Sequence, residues 1–252
     1  MDLGITDRAA LVCGATQGIG RAIAAELVAE GARVAITSRS QERADATAAE
    51  LGGVLGFAHD TADADGAEAL LERAGEALGA PITLLVTNTG GPPGNPDALG
   101  FARDQWEDAY RELVLGPMAL VQAAIPAMRA EGFGRIVNIV STGPREPIPN
   151  LMLSNTHRAA TLAAFKTVAR QVAGDGITLN SVLPGRIATP RLFSLYGGSK
   201  DEANRVAAAE VPAGRIGEPE EMAAAAAFFL SARAGYVTGQ ALIVDGGLTR
   251  AV

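Results

Sequence analysis

Three glycines close to the N-terminus have the spacing of a phosphate-binding turn. Gly14, Gly18 and Gly20 follow the short apolar run Ala9–Val12, and an amphipathic helix is predicted directly after them. Glycines let a backbone approach a pyrophosphate closely, and the free N–H groups at the start of a helix favour its negative charge. A second apolar run, residues 33–37, follows at the distance expected of a strand–helix–strand unit. The pattern predicts a dinucleotide-binding site rather than a plain turn.

Arg39 indicates which dinucleotide is bound. In such folds an acid at the end of the second strand binds the ribose 2′-OH of NAD(H), whereas an Arg pairs with the 2′-phosphate of NADP(H). Here the strand is followed by Ser38, Arg39 and Ser40, without an acid. NADP(H) is therefore predicted to be preferred over NAD(H). The alternative is that Arg39 is an ordinary solvated surface residue.

Strands and helices alternate along the whole chain. Strands are predicted at residues 9–12, 33–37, 54–58, 82–86, 135–140, 177–182 and 241–244. Helices are predicted at residues 21–30, 41–51, 64–78, 104–130, 154–173 and 218–230. Continuous apolar strands alternating with helices favour a parallel sheet covered by helices on both faces. We expect one doubly wound α/β (Rossmann) domain over residues 1–252, with a seven-stranded sheet.

Two stretches interrupt this alternation, the loop at residues 90–96 and a long insertion at about residues 184–217. Ligands of such sheets bind beyond the carboxyl ends of the strands, where both stretches are expected to emerge. The insertion carries four large apolar side chains close together: Leu192, Phe193, Leu195 and Tyr196. It is either a lid over a substrate or a helix packed for contact with another subunit.

Composition excludes several classes of protein. The chain has 252 residues, 48% of them hydrophobic, and a net charge of −7 without a basic block, so nucleic acid is not an expected partner. The single cysteine, Cys13, excludes an internal disulfide framework, fits a reducing compartment and is expected to pack in the core. No signal peptide, metal site or membrane-spanning run is predicted. These features predict a soluble, cytoplasmic protein with a small-molecule substrate and no membrane partner.

Several motifs, in order along the chain, resemble those of the short-chain dehydrogenases/reductases, and in particular of the ketoacyl-reductase-like members. They are residues 13–20, His59-Asp60-Thr61, Thr87-Asn88-Thr89-Gly90, the segment 184–189, and the closing segments 239–240 and 244–247. In this family the glycine motif holds the pyrophosphate, the Asp contacts the adenine, and the Pro-Gly-x-x-x-Thr segment contacts the nicotinamide. The implied cofactor-binding residues are Gly14, Thr16, Gln17, Gly18, Ile19, Gly20, Asp60, Thr61, Asn88, Gly90, Arg158, Pro184, Gly185, Ile187 and Thr189.

The resemblance also implies a catalytic Asn–Ser–Tyr–Lys tetrad, of which this chain retains one member. Ser141 stands in the Ser position, but the Asn, Tyr and Lys positions fall on Leu113, Ser154 and Arg158. A Ser hydroxyl is a poor general acid near neutral pH. Arg158 keeps a positive charge and a donor fork suited to ribose hydroxyls, but it cannot release a proton. His157 is the nearby group that titrates close to neutrality, although its helical position is more typical of a surface or core-edge residue.

We therefore expect the catalytic residues to be Ser141, Arg158 and His157, with Tyr110 and Tyr196 as weaker candidates. Two functions remain open. One is an NADP(H)-dependent oxidoreductase that transfers hydride to or from a small carbonyl, imine or enone with a non-standard proton donor. The other is a catalytically silent NADP(H)-binding sensor or scaffold subunit. The resemblance further implies a homotetramer, or a dimer, formed through the helices at residues 104–130 and 154–173. The small apolar surface for that pairing is Ala159, Ala160, Ala163, Ala164 and Phe165.

Overall fold

The structure is a computed structural model that describes residues 2–251. Its strands are β1 (Ala9–Val12), β2 (Arg33–Ser38), β3 (Leu55–Ala58), β4 (Ile82–Asn88), β5 (Gly134–Ile139), β6 (Ile177–Pro184) and β7 (Ala241–Val244). Its helices are α1 (Gly18–Ala29), α2 (Gln41–Leu51), α3 (Ala67–Leu78), α4 (Arg103–Tyr110), α5 (Gly116–Ala130), α6 (Met152–Val172), α7 (Pro190–Ser194), α8 (Lys200–Glu210) and α9 (Pro219–Leu230). The predicted alternation of strands and helices is confirmed.

All seven strands form one parallel sheet in the order β3-β2-β1-β4-β5-β6-β7. The predicted Rossmann-like fold is therefore confirmed. The strand order reverses between β1 and β4, so the loops that leave these two strands diverge and open a crevice at their carboxyl ends. The glycine loop follows β1 and the loop at residues 89–92 follows β4, which places both on this crevice.

The sheet is buried on both faces because successive residues of each strand point to opposite sides. Val12 and Ile36 belong to the core formed with α1 and α9, whereas Leu11 and Ala35 belong to the core formed with α3, α5 and α6. Cys13 follows directly and is fully buried, and burial raises the pKa of its thiol to about 12. This side chain packs in the core, as expected, and is not a nucleophile at neutral pH.

The single helix predicted at residues 104–130 is instead two α-helices joined by a π-helical turn, Arg111–Leu115. Pro117 is the physical reason, because it has no N–H to donate to the Leu113 carbonyl and the hydrogen-bond pattern widens there. Gly116 allows the turn to sit against the loop after β3, since a Cβ at that position would overlap the Thr61 carbonyl oxygen. The freed Leu113 carbonyl accepts a hydrogen bond from Thr161 Oγ1 of α6 at 2.5 Å.

The same stretch corrects the expectation about membrane-spanning runs. The continuous helical segment Arg103–Ala130 has a mean hydropathy of 1.4 in its most apolar 18-residue window and is long enough to cross a membrane. In the fold it is a core helix, since Leu120, Val121, Ala124 and Met128 pack against the sheet. The apolar side chains of this helix are therefore explained by its packing in the core of the domain.

The insertion at about residues 184–217 contains α7, α8 and a small core of its own. Leu192 is buried there with Ala203, Ala207, Val211 and Ile216. Of the four apolar side chains noted in the sequence, Phe193 and Tyr196 pack partly against this core and Leu195 is 58% exposed. The insertion is thus a small subdomain of two helices with its own core.

Candidate active site

The glycine loop has the geometry that a dinucleotide diphosphate requires. Gly14 and Gly18 have φ of +57° and +56°, and a Cβ on Gly20 would lie 2.5 Å from the Gly14 carbonyl oxygen. Helix α1 begins at Gly18, and Gln17 at its N-cap makes no side-chain capping hydrogen bond. Asn88 at the end of β4 donates from Nδ2 to the Gly14 carbonyl at 3.0 Å and holds the loop in place. The loop therefore fits an anionic phosphate group, with Asn88 as a support for the loop.

Two guanidinium groups lie where β2 meets α2. Arg39 is exposed and makes no hydrogen bond or ion pair within residues 2–251. Arg43, on the first turn of α2, donates from Nη2 to Thr16 Oγ1 and Gln17 Oε1, both at 3.4 Å. Sequence reasoning identified Arg39 and missed Arg43, although its spacing of one helical turn was a usable signal. The arrangement gives the crevice two positive charges beside the glycine loop.

The remaining predicted cofactor residues lie along the same edge of the sheet. Asp60 is exposed, and its Oδ1 accepts a hydrogen bond from the backbone N–H of Ala62 at 3.0 Å. Thr189 caps α7 by accepting a hydrogen bond from the backbone N–H of Leu192 at 3.2 Å. Its Cγ2 also lies 3.0 Å from the position that a Cβ on Gly18 would take, so α7 starts beside the glycine loop.

The segment between β6 and α7 is held by backbone contacts. Gly185 lies so close to Asp245 that a Cβ there would be 2.5 Å from the Asp245 Cβ. Ile187 is buried and pairs with Gly217, and the following N–H of Ala188 donates to the Gly217 carbonyl at 2.8 Å. These contacts fix the start of the insertion against the carboxyl end of β6.

Ser141 and Ser154, which are predicted at the Ser and Tyr positions of the tetrad, each accept a hydrogen bond through the side-chain oxygen. Ser141 Oγ accepts a hydrogen bond from the backbone N–H of Gly143 at 3.1 Å. Ser154 Oγ is buried and accepts one from Arg158 Nε at 3.2 Å. Asn155 closes the intervening loop, because its amide exchanges hydrogen bonds with the backbone of Ile148. Each serine oxygen is thus an acceptor from a fixed donor, which leaves its own O–H free to donate.

Arg158 lies buried at the junction of β5, α6 and the loop after β4. It donates to Ser154 Oγ, to the Ile139 carbonyl at 3.1 Å, and to the carbonyls of Thr89 and Gly90. These bonds engage four of its five N–H groups, so most of the fork expected for ribose hydroxyls is engaged by the protein itself. Burial, and then the charge of Arg191, lower the pKa of Arg158 to about 10, so it remains a cation at neutral pH.

Comparison with known proteins identifies the family. A family model described as enoyl-(acyl carrier protein) reductase matches residues 14–249. The 3-oxoacyl-[acyl-carrier-protein] reductase FabG of Haemophilus influenzae is 38% identical over 240 residues, which is 95% of this chain and 97% of that protein. This chain is a short-chain dehydrogenase/reductase.

Two further reductases, one named as NADPH-dependent and one solved with NADPH bound, are also similar to it. The NADPH-dependent reductase BacG of Bacillus subtilis is 31% identical over 264 residues, covering 98% of this chain and 100% of that protein. The crystal structure of L-sorbose reductase from Gluconobacter frateurii, complexed with NADPH and L-sorbose, superposes with a TM-score of 0.92 at 32% identity and full coverage of both chains. The chain is thus an oxidoreductase of the short-chain type that uses a nicotinamide cofactor, as its glycine loop predicted.

His157 is separated from the other two predicted catalytic residues of this reductase. Its ring packs against Trp106 and Tyr110, with centroids 5.5 and 6.4 Å away, and its Nδ1 bonds the Leu153 carbonyl at 2.8 Å. No hydrogen bond within residues 2–251 joins it to Ser141 or Arg158. The structure brings Ser154 and Arg158 together and places His157 between α4 and α6.

Two charged residues at the site of the reductase were missed by sequence reasoning. Glu112, in the π-helical turn, lies beside Gly90, and burial raises the pKa of its carboxyl group. Arg191, on α7, donates to the carbonyls of Gly91 and Pro92, both at 3.2 Å. Neither residue lies in a family motif used above, and only the folded chain brings them to Arg158.

Proposed function

We propose that this NADP(H)-dependent reductase acts on activated alkenes conjugated to a carbonyl, in preference to simple ketones or imines. One observation carries the proposal: the Tyr position is Ser154, and its oxygen accepts a hydrogen bond from a buried guanidinium. Hydride addition to a ketone leaves a strongly basic alkoxide, which needs a general acid. Addition to the β-carbon of an enone leaves an enolate, whose charge is delocalised and needs only stabilisation.

The charges of the site support an anion-forming reaction. Arg158 and Arg191 are two cations that bind the loop at residues 89–92, and the carboxyl group of Glu112 lies beside Gly90 of the same loop. Fixed cations stabilise a developing oxyanion and disfavour a protonated iminium. The description of the matching family model as an enoyl reductase supports reduction of a carbon–carbon double bond in this chain.

In this proposal the two serines bind the substrate oxygen. When NADPH is bound, its nicotinamide supplies the hydride. The oxygens of Ser141 and Ser154 accept hydrogen bonds from Gly143 and Arg158, and within residues 2–251 neither O–H donates one, so both are free to donate to the substrate. Arg158 orients Ser154 and adds positive charge, and water protonates the enolate carbon after the hydride step. No side chain is required to change its protonation state.

The test is NADPH consumption with three six-membered rings: cyclohexenone, cyclohexanone and tetrahydropyridine. We expect cyclohexenone to be consumed fastest, with cyclohexanone as the product detected by gas chromatography. Faster consumption of the ketone or the imine would contradict the substrate class. Tight NADPH binding without turnover of any enone would favour the alternative of a catalytically silent nucleotide-binding protein.

We further propose that the cofactor preference for NADP(H) arises from Arg39 and Arg43 together. Arg39 has no partner within residues 2–251, and Arg43 already contacts the glycine loop. A 2′-phosphate between them would make charge-assisted hydrogen bonds to both.

The rest of the cofactor is assigned by the family resemblance: the adenine to the loop at Asp60 and Thr61, and the nicotinamide to the segment 184–189. The insertion at residues 184–217 is proposed to cover the substrate. Residues 1–252 are proposed to form one domain, and the protein is proposed to be cytoplasmic.

Assembly into a homotetramer, or a dimer, through α4–α5 and α6 is proposed from exposed small residues. Ala159, Ala160 and Ala163 are exposed on α6, and Ala164 is half-buried. Phe165, which the sequence analysis placed on this surface, is instead buried against the sheet. The remaining alanines permit close approach of a second helix.

We expect light scattering at micromolar concentration to report an oligomer for the natural chain. Ala163→Glu is expected to dissociate it, because a carboxylate would be buried at the helix contact. Ala208→Glu, at an exposed alanine of α8, is the matched control and should leave the mass unchanged. A monomeric natural chain, or an Ala163→Glu variant of full mass, would contradict this assembly.

A further inference from the structure

Two guanidinium groups bind one loop of the site. The four consecutive carbonyls of residues 89–92 accept hydrogen bonds from Arg158 for the first two and from Arg191 for the last two. A Cβ on Gly91 would lie 3.0 Å from Arg191 Nη2 and 3.6 Å from Arg158 Nη2. Two like charges are therefore held close to a single glycine.

This pair of cations has no direct counter-ion. Within residues 2–251, neither Arg158 nor Arg191 forms an ion pair with a carboxylate. The carboxyl group of Glu112 interacts electrostatically with both guanidinium groups but forms no hydrogen bond to either within the described residues. Asp60 and Arg39 in turn interact electrostatically with Glu112. A buried guanidinium is normally paired, because burial of an uncompensated charge is costly. The site thus has an excess of positive charge, in a chain whose net charge is −7.

Arg191 is the member of the pair that can bind a ligand. Its two hydrogen bonds use one N–H on each terminal nitrogen, so Nε and the two other N–H groups remain available. It is exposed, whereas Arg158 is buried and nearly all of its donors are engaged. A planar fork with free donors matches a carboxylate, which it binds with two parallel hydrogen bonds.

We propose that the substrate of this reductase carries a carboxylate, which Arg191 binds while Ser141 and Ser154 bind its carbonyl oxygen. The substrate class is then a small unsaturated keto acid, and Arg191 determines specificity. This inference rests on the proposed function. The other anion that could reach Arg191 is the diphosphate of the cofactor, and the experiment separates the two.

The first measurement compares trans-4-oxo-2-pentenoate with its methyl ester as substrates. For the natural chain we expect kcat/KM for the acid to exceed that for the ester about tenfold, the effect of one charge-assisted pair. Arg191→Gln should remove this difference by lowering the value for the acid, while Arg191→Lys retains part of it. Arg205→Gln, at an exposed arginine of α8, is the control and should change neither substrate.

The second measurement needs no turnover. Calorimetric titration of the enzyme–NADP⁺ complex should show the acid binding about tenfold more tightly than the ester, with the difference lost in Arg191→Gln. This result supports the carboxylate site even if the enone is not reduced, in which case the proposed function alone fails. Equal binding of acid and ester by the natural chain overturns the inference. So does an Arg191→Gln variant that keeps the acid preference but binds NADPH about tenfold more weakly, because Arg191 would then hold the diphosphate.

Discussion

The double variant Ser154→Tyr, Arg158→Lys is expected to reduce a simple β-ketoester such as ethyl acetoacetate about 10²–10⁴-fold faster than the natural chain. In the proposed site Ser154 takes the Tyr position of the family, so no phenol protonates the alkoxide, and general acid catalysis of this kind contributes roughly 3–5 kcal/mol of barrier. A Tyr in place of Ser154 supplies the acid, and a Lys one helical turn later supplies the ammonium that lowers its pKa. NADPH consumption with ethyl acetoacetate measures the gain, after NADPH binding by the variant has been verified.

The single replacement Ser154→Tyr is expected to increase the rate less than the double variant, for a structural reason. Arg158 Nε lies 3.2 Å from Ser154 Oγ, so a tyrosine ring in Ser154→Tyr must displace the guanidinium. Its phenol would also keep a pKa near the ordinary value of about 10 without a correctly placed ammonium. Adding Leu113→Asn to the double variant should give a smaller further increment, since it would restore the remaining position of the tetrad that the family resemblance implies.

A natural chain that already reduces ethyl acetoacetate as fast as the double variant would contradict this account. The proton would then have to come from another group, and His157→Ala would test the remaining titratable candidate through the pH dependence of the rate. Because His157 packs between Trp106 and Tyr110, we expect that variant to lose stability without a change in the pH profile. A natural rate that survives both His157→Ala and Ser141→Ala would leave the assigned site without support.

Removal of the two arginines at the end of β2 is expected to convert the reductase from NADPH to NADH preference. Arg39→Ala and Arg43→Ala should each raise the Kd for NADPH about tenfold or more, and together about a hundredfold or more, because each charge-assisted phosphate contact contributes roughly 1.5–3 kcal/mol. The Kd for NADH should change less than twofold, since NADH lacks the 2′-phosphate. Titration by nucleotide fluorescence gives all of these constants.

The controls separate phosphate binding from support of the loop. Arg43 also contacts Thr16 and Gln17, so Arg43→Ala would weaken NADH equally if its role were to fix the glycine loop. Equal losses for both cofactors in Arg39→Ala would contradict the NADP(H) assignment itself. Arg129→Ala, at an exposed arginine that pairs with Asp175 far from the crevice, should leave both constants unchanged.

The predicted presence of an arginine, Arg158, at the Lys position of the family has a physical rationale in the hydrogen bonds that Arg158 makes. An ammonium has three donors on one atom, whereas the guanidinium has five donors spread over a planar fork. Arg158 uses this spread to reach β5, the loop after β4 and Ser154 at once. Arg158 thus orders the site as a structural cation.

The fold and the position of the crevice were determined by the sequence alone. Apolar periodicity, the three glycines and the regular alternation of elements are local signals, and local hydrogen bonding and burial act on them directly. For that reason the strand bounds predicted from the sequence agree with the structure to within about two residues, and the glycine loop is recognisable without any tertiary contact. The broken helix at residues 111–115 also had a local cause in Pro117, which the sequence analysis did not use.

Only the tertiary structure decided how the charged residues of the site are used. Arg158 meets carbonyls some 70 positions earlier in the chain, and Arg191 meets carbonyls 99 and 100 positions earlier, so no spacing rule connects them. A histidine can donate a proton, but His157 lies one position before Arg158 on α6. Its side chain therefore points towards Trp106, whereas the Arg158 side chain reaches Ser154. A residue type states which chemistry is possible, but burial and the partners supplied by distant elements decide which of its atoms remain free to perform it.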